Sequence, residues 1–460
     1  MISNKLVWAG IVCLFHTSYL SAQTSVYSLE EIWQKTLDQH PTLASQQALL
    51  ERQEHQKTLI RQQSYPEFNV QAQQSFGSYQ NMPGSFFPLP GLYNNSGSVK
   101  AGGDEHSGSN VYASAVLQWD FIQFGRLQKK LQVADAAIAV GRAALSQEQY
   151  KLQAAGTRYY FDVLHHSARL SVLRSDAARL ASLLDLIKSQ AEAGLRPGAD
   201  TLLIKSAFLQ AKNKITDQQN GLQASLLQLA SLVGEEGSAV AVDTSVYYRV
   251  HPGEALRNSS IARHPYLQYL DAAIDHSKAE VEAISKEPYP SVGLLAGAGI
   301  KGSGIDPSGT VDKSFAAPWS NNSGSYLVGV GVTWKLSSLY QNKTKKRMAE
   351  RQVASARAGR EAARLQLQAV YTSALAAYKE QVTKVRDARL ALEAAQAAYE
   401  LYSVRYESGL IDLIELLQLQ KDLQGAESNF VAAIHSYWSE LLVQSEALGQ
   451  PSIILTAIQP

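Results

Sequence analysis

The residues Gly297-Ala298-Gly299-Ile300-Lys301-Gly302 have the spacing of a dinucleotide-binding fingerprint and follow an apolar, strand-like run. That chemistry needs a helix to open directly after the glycines, so that its N-terminus meets the phosphates. Here Ser303, Gly304, Asp306-Pro307 and Ser308-Gly309 follow, which read as loop. The glycines are therefore assigned to close packing between strands. His165 and His166 are neighbours within a helical pattern, and neighbouring helix positions point in different directions, whereas metal ligands on a helix pair at i, i+4. His166 is expected to pack on an apolar stripe. Asp104-Glu105-His106 lies in a Gly- and Pro-rich segment and reads as solvated surface. No nucleophile elbow, phosphate loop or zinc-binding helix is present in the sequence, so catalysis, a cofactor and a bound metal are not expected.

Composition excludes further classes. The chain has 460 residues, with 42 Lys+Arg against 41 Asp+Glu, which leaves no electrostatic case for nucleic acid. Its one cysteine, Cys13, excludes a disulfide scaffold and a cysteine-rich metal site. Lys5, the apolar run Leu6–Phe15 and the small residues Ser18, Ser21 and Ala22 describe a secretory signal peptide over 1–22, which would carry Cys13 away. No other apolar run approaches the length of a membrane-spanning helix. An exported chain of this kind is soluble, peripheral or a membrane β-barrel.

The remaining candidates sit in a duplicated pattern. His40-Pro41-Thr42-Leu43 recurs as His264-Pro265-Tyr266-Leu267, and Tyr65-Pro66 as Tyr289-Pro290, both 224 positions on. Trp119 recurs as Trp334, and Gly194-Leu195 as Gly409-Leu410, both 215 positions on. Asp200 and Glu415 then occupy matching places, each six residues past its glycine. Asp412 with Glu415 has the form of a capping box, and Asp200 is placed to cap the equivalent helix. The two offsets divide the chain into a first repeat (23–233), a linker (234–262), a second repeat (263–449) and a tail (450–460).

Each repeat must position its tip with long elements. Phe68, Val70, Ala72 and Phe76 alternate with polar residues, as do Val111, Ala113, Ala115, Leu117, Trp119 and Phe121; Val292, Leu294, Ala296, Ala298 and Ile300 alternate with small residues. Tyr326, Val328, Val330, Val332, Trp334 and Leu336 complete the set. A period of two means strands with one apolar face. Strands are expected at about 66–76, 110–121, 290–300 and 325–336, making two hairpins, with Trp119, Phe121, Tyr326 and Trp334 as an aromatic belt. A soluble sandwich sheet would need more strands and a second layer. Helices are expected over 126–193 and 341–408, each roughly 100 Å long at 1.5 Å per residue. Leu131, Ile138, Leu145, Leu152, Tyr159, His166, Leu173, Leu180 and Ile187 follow one another at heptad spacing, as do Tyr371, Tyr378, Val385, Leu392, Tyr399 and Tyr406. Such repeats need partner helices along their length. After Gly194 and Gly409 the chain runs back as helices through about Leu232 and Leu448. Ser28-Leu29-Glu30-Glu31 forms a capping box for a short helix, and a second helix from Pro41 to about Gln63 leads to the first strand.

With its Tyr-Pro strand starts and Gly-Leu turns, this doubled order of helix, strand hairpin, long helix and return helix resembles the TolC family of outer membrane efflux proteins over about residues 28–449. The resemblance implies a mainly α chain with a membrane β-barrel part: a homotrimer with a twelve-stranded barrel in outer membrane lipid and a twelve-helix tunnel across the periplasm. It implies a passive exit duct for a tripartite efflux or secretion system, with a periplasmic adaptor and an inner-membrane pump as partners. It places Asp200 and Glu415 near the periplasmic mouth, where they act as helix caps alone or also line a cation-attracting constriction. Arg196 and Asp412 would form tip salt bridges, and Gly194, Leu195, Gly409 and Leu410 would be adaptor contacts. Some members carry a second aspartate where this chain has Gln418, so an inner aspartate gate is not carried over. The alternative is a structural trimeric coiled-coil surface protein, a stalk or adhesin, which the alternating strands disfavour; an exported enzyme is a more distant third.

Overall fold

The computed structural model describes residues 25–79, 106–235, 240–250, 260–304 and 311–458. The expected signal peptide (1–22), Asp104-Glu105 and residues 306–309 lie outside the described residues. The elements run β1 (Ser25–Tyr27), α1 (Leu29–Gln39), α2 (Pro41–Gln62), β2 (Glu67–Tyr79), β3 (His106–Ile122), α3 (Arg126–Glu192), α4 (Gly198–Leu232) and β4 (Val240–Val242). Then follow two 3₁₀ turns (Thr244–Tyr248, Ile261–Arg263), α5 (Pro265–Lys286), β5 (Ser291–Ser303), α6 (Ala317–Ser320), β6 (Asn322–Thr333), α7 (Ser338–Glu407), α8 (Leu413–Leu448) and α9 (Ser452–Ile458). No helix among the described residues is long and apolar enough to cross a membrane. Two compact units divide the chain: Gln46–Leu145 with Tyr266–Ala363, and Met1–Ser45 with Ser146–Pro265 and Arg364–Pro460.

The first of these units holds one antiparallel sheet in the order β2-β3-β5-β6. Residues directly opposed across strands share a face. Phe68 opposes Leu117, Leu117 opposes Ala296, and Ala296 opposes Val328, so the alternating sets of all four strands fall on the same side. That side is open: Val70 is 72% exposed, Val330 68% and Tyr326 87%. Asn69, Gln71, Ser114, Gln118, Gly299 and Gly329 line the other side by the same register. β2 and β6 are edges, each pairing along one side only. The dinucleotide-like glycines lie inside β5 rather than at a strand-to-helix turn. A Cβ at Gly299 would lie 3.0 Å from the Ala113 carbonyl oxygen, which is the close strand approach that this residue permits.

Three details differ from the sequence expectation. β6 begins at Asn322 and ends at Thr333, so Trp334 sits just beyond the strand. A register shift between Trp119 and Ile122 brings Ile122 opposite Val292, so Phe121 leaves the alternation, and its ring centroid lies 5.7 Å from that of Trp119. The loop expected after Gly302 does not run unbroken to the last strand, since α6 precedes β6.

The second unit is a helical assembly. α1 starts on a complete capping box: Glu31 N donates to Ser28 Oγ at 3.3 Å, and Ser28 N donates to Glu31 Oε2 at 2.8 Å. Leu29, Ile32, Trp33 and Thr36 form its buried stripe, and the Trp33 indole donates to Thr157 Oγ1 at 3.1 Å. The main core joins Leu29, Ile32 and Trp33 to Tyr160, Phe161, Leu164, Tyr247, Ile434, Tyr437 and Trp438. The heptad positions Leu152, Leu173, Leu180, Ile187, Tyr371, Tyr378, Val385 and Tyr406 are buried. Described parts of the linker pack into this unit: β4 pairs in parallel with β1, and Tyr247 is fully buried with its hydroxyl donating to the Val431 carbonyl at 2.9 Å.

Candidate functional site

The duplicated Gly-Leu dipeptides close both long helices in the same way. Gly194 has φ +74° and Gly409 φ +75°, a left-handed conformation that a residue with a Cβ adopts only under strain. Gly194 N donates to the Ala191 carbonyl at 3.0 Å and Leu195 N to the Gln190 carbonyl at 2.9 Å; Gly409 N and Leu410 N repeat this on Tyr406 and Arg405 at 3.0 and 2.9 Å. This pair of bonds is the Schellman motif, which satisfies the last carbonyls of a helix. Leu195 and Leu410 stand out from these turns, 75% and 71% exposed. Behind them Leu183, Ile187, Ile204, Tyr406, Leu413 and Leu416 pack as a separate core joining α3, α4, α7 and α8.

The two return helices start differently. Asp412 is the N-cap of α8, its Oδ1 accepting from Glu415 N at 2.8 Å. Pro197 holds the matching place at the start of α4, with no side-chain cap, and Asp200 lies within the first helical turn. The expectation that Asp200 caps α4 is thus corrected: a cap must precede the helix, and proline takes that position. Asp200 is half-buried, whereas Glu415 and Asp412 are exposed. Arg196 also differs from expectation. Within the chain, among the described residues, it forms no ion pair with Asp412; its guanidinium lies 4.8 Å from the ring centroid of Tyr406. Tyr406 is 1% exposed, and its buried hydroxyl has no hydrogen-bond partner among the described residues. Burial raises the Tyr406 pKa; the Arg196 charge works against this rise, and the Asp200 charge adds to it. Tyr406 was legible only as one member of a heptad stripe, because nothing local in the sequence links it to Arg196.

Further from the tips, Arg179 makes a two-pronged ion pair with Glu427 at 3.0 and 2.7 Å, and Gln420 Nε2 donates to Asp176 Oδ1 at 2.6 Å. Both fasten α3 to α8. Beside them runs a groove of about 410 Å³ lined by Leu203, Gln210, Lys214, Ile414 and Lys421.

The adjacent histidines take different partners, although their rings meet edge-on with centroids 5.7 Å apart. His166 is half-buried, its Nδ1 accepting from Gln218 Nε2 at 2.7 Å. The His165 Nδ1 lies 3.0 Å from the Tyr247 hydroxyl, and its ring centroid lies 4.1 Å from that of His435, the two rings tilted by 31°. Burial first, then the charges of His435, His166 and Arg169, holds the His165 pKa down to about 3. Among the described residues no cluster of His, Cys, Asp or Glu could hold a metal ion.

The model of the outer membrane efflux protein family matches residues 32–235 and again 256–449, so each repeat carries the family pattern. Nodulation protein T of Rhizobium leguminosarum bv. viciae is 20% identical over 352 residues, covering 74% of this chain and 69% of that protein. The CmeC outer membrane channel of Campylobacter jejuni has a similar fold, with TM-score 0.70 at 14% identity over 92% of this chain and 85% of CmeC. So does the outer membrane protein VceC of Vibrio cholerae, with TM-score 0.69 at 15% identity over 92% and 96%. Matched in both halves and across nearly all its described elements, the chain belongs to the outer membrane efflux protein family, a family of outer membrane transport channels and not of enzymes.

Proposed function

We propose that three copies of the chain form a continuous passive duct from the periplasm through the outer membrane. The observation that carries this is the four-stranded sheet, with two unpaired edges and one face of exposed apolar side chains. Open edges cannot stand in lipid, where every backbone group must find its partner within the protein. Four strands are too few to close, whereas three chains of four strands make a barrel within the observed range of sizes. A threefold axis closes the sheet and the helical part with one symmetry. The apolar face then meets lipid, and the Gly-, Ser-, Asn- and Gln-rich face lines the pore. Being passive, the duct takes its energy and its choice of substrate from an inner-membrane pump, and a periplasmic adaptor seals the joint.

The tips support the rest of this reading. Leu195 and Leu410 present exposed apolar contacts at both turns, and a groove of about 410 Å³ runs beside α8. Asp200 and Glu415 bring up to six carboxylates around one axis in a trimer. A ring of this kind attracts cations and resists anions.

Gel migration and conductance test the duct together. Unboiled protein extracted from membranes should run as a compact trimer that boiling converts to monomer, and it should form conducting pores in a planar bilayer. Migration indifferent to heat, with no conductance, would favour a coiled-coil stalk instead.

A further inference from the structure

Residues 312–321, just before β6, lie over the apolar face of the sheet. Gln74 Nε2 donates to the Phe315 carbonyl at 2.6 Å, and Ser109 Oγ donates to the Ser314 carbonyl at 2.6 Å. The rings of Phe76 and Phe315 lie 6.3 Å apart. A Cβ on Gly302 would overlap the Pro318 carbonyl oxygen. Gln74, Phe76, Ser109 and Gly302 all belong to the apolar face, because Phe76 opposes Ser109, Gln74 opposes Val111, and Val111 opposes Gly302. Val111 is accordingly only 3% exposed, in contrast to Val70 on the same face. This strap explains two oddities of the sequence. Gln74 interrupts the apolar set of β2, and the strap supplies its partner. Gly302, the last glycine of the dinucleotide-like run, leaves room for the strap.

The strap also has an outward side. Phe315 is 63% exposed and Trp319 54%, next to the exposed polar residues Asp312, Lys313 and Ser320. Its backbone is partly self-satisfied: Trp319 N donates to the Ala316 carbonyl and Asn321 N to the Ala317 carbonyl, both at 3.0 Å. Asn322 Nδ2 donates to the Trp319 carbonyl at 2.5 Å. Irregular backbone on a lipid-facing surface is not tolerated in the hydrocarbon, but aromatic rings mixed with polar groups suit the headgroup level. The spacing agrees. From Tyr326 to Trp334, the residue just past the end of β6, extended chain advances about 27 Å, or roughly 20 Å of height at a barrel's tilt, close to the ~25 Å apolar band of such proteins. The strap lies at the far end of that band from Trp334.

We infer that the strap, residues 312–321, docks on the lipid headgroup layer, with Phe315 and Trp319 seated at the hydrocarbon boundary. It thereby fixes the upper limit of the membrane band. This rests on the reading that the apolar face meets lipid. The full chain, reconstituted as the trimer in phosphatidylcholine vesicles, tests it by tryptophan quenching with lipids brominated either near the headgroup or near the chain end. The emission lost on Trp319→Phe isolates Trp319, and Val330→Trp reports the strand centre. Trp319 should be blue-shifted, quenched by the shallow bromolipid more than the deep one, and shielded from aqueous iodide; Val330→Trp should respond most to the deep one. Gly302→Val should shift Trp319 toward iodide access while leaving the Val330→Trp response unchanged. If Trp319 is quenched by iodide alone while Val330→Trp still responds to deep bromolipid, the strap proposal is overturned and the barrel stands. If neither site responds to bromolipid, the lipid-facing assignment falls and the strap with it.

Discussion

The indole nitrogen of Trp334 donates a hydrogen bond to the carbonyl of Pro288 at 2.8 Å, tying the end of β6 to the turn that enters β5. Trp119 does the same to Ser64 at 3.0 Å, tying the end of β3 to the turn that enters β2. Trp119 and Trp334 are equivalents in the two repeats, and so are Ser64 and Pro288. Each bond joins a strand end to the residue just before a Tyr-Pro pair. An indole can keep its ring in an apolar setting but needs an acceptor for its N–H. Here the acceptor is supplied within the chain.

Trp334→Phe keeps a ring and removes the donor. It should lower stability by about 1 kcal/mol, the usual net value of one hydrogen bond. The temperature at which unboiled trimer converts to monomer on a gel should fall modestly, and Trp119→Phe should give a similar fall. Double replacement should be close to additive, because the two bonds close different turns.

Leu117→Arg and Val330→Arg probe the lipid face. Leu117 opposes Phe68 and Ala296, and Val330 opposes Leu294, all on the apolar side. A cation on the lipid face costs about 2–4 kcal/mol per site at the midplane, and a trimer repeats it in every copy. The yield of folded trimer in the outer membrane should drop sharply. Gln118→Arg, one position along and on the opposite face, should be tolerated. Normal yields for Leu117→Arg and Val330→Arg with a loss confined to Gln118→Arg would mean that the faces are inverted.

Periodic elements were legible in the sequence, and contacts made by aperiodic ones were not. The long helices and all four strands followed from heptads and alternation, because a regular element repeats its burial at fixed spacing. The strap had no such period; its seat depends on Gln74, Ser109 and Gly302, which come together only once the register is set. At the tips, equal spacing from Gly194 and Gly409 suggested equal roles for Asp200 and Glu415. The position three residues earlier decides the cap, and there Pro197 stands in one repeat and Asp412 in the other. The Arg196–Tyr406 contact joins the start of α4 to the end of α7, which no local pattern reveals.

Acid should loosen the helical unit through its histidines. Burial lowers the pKa of His165, His166, His435 and His264, with His165 at about 3. The charged and polar groups facing His165, His166 and His435 are Asp162, Arg169, Tyr247 and Gln218, besides the histidines themselves. An unfolded histidine takes up its proton near pH 6.5, while the folded one resists. The unfolded state therefore binds more protons as pH falls, so this contribution is fully present above about 6.5 and is lost progressively on acidification below it. Asp162 acts in the opposite sense, since burial raises its pKa and protonation relieves it, but it is one group against several. Thermal scans in detergent should show stability falling from neutral to mildly acid pH. His165→Asn should flatten that fall; an unchanged slope would remove His165 as a cause.

Capping and charge at the mouth can be separated, because they reside on different side chains. The cap of α8 is Asp412, whose carboxylate accepts from the Glu415 backbone, so Glu415→Gln leaves it intact. Asp412→Ala should cost about 0.5–2 kcal/mol per helix, loosen the tip and raise conductance without changing ion preference. Asp412→Asn, still a good cap, should restore the parent conductance. Asp200→Asn with Glu415→Gln removes charge while keeping polar atoms, and should lower cation preference in single-channel recordings. Arg196 sits among these groups with its charge over Tyr406, an attraction of about 0.5–2 kcal/mol. Tyr406→Phe keeps that ring and removes only a hydroxyl without a partner, so stability and conductance should both hold. Tyr406→Ala opens a cavity in the tip core and should cost about 3–5 kcal/mol, as large aromatic truncations do. If the double amide leaves cation preference intact while Asp412→Ala still raises conductance, the carboxylate ring has no part in selection, and the tip is held by its caps and by the Tyr406 core alone.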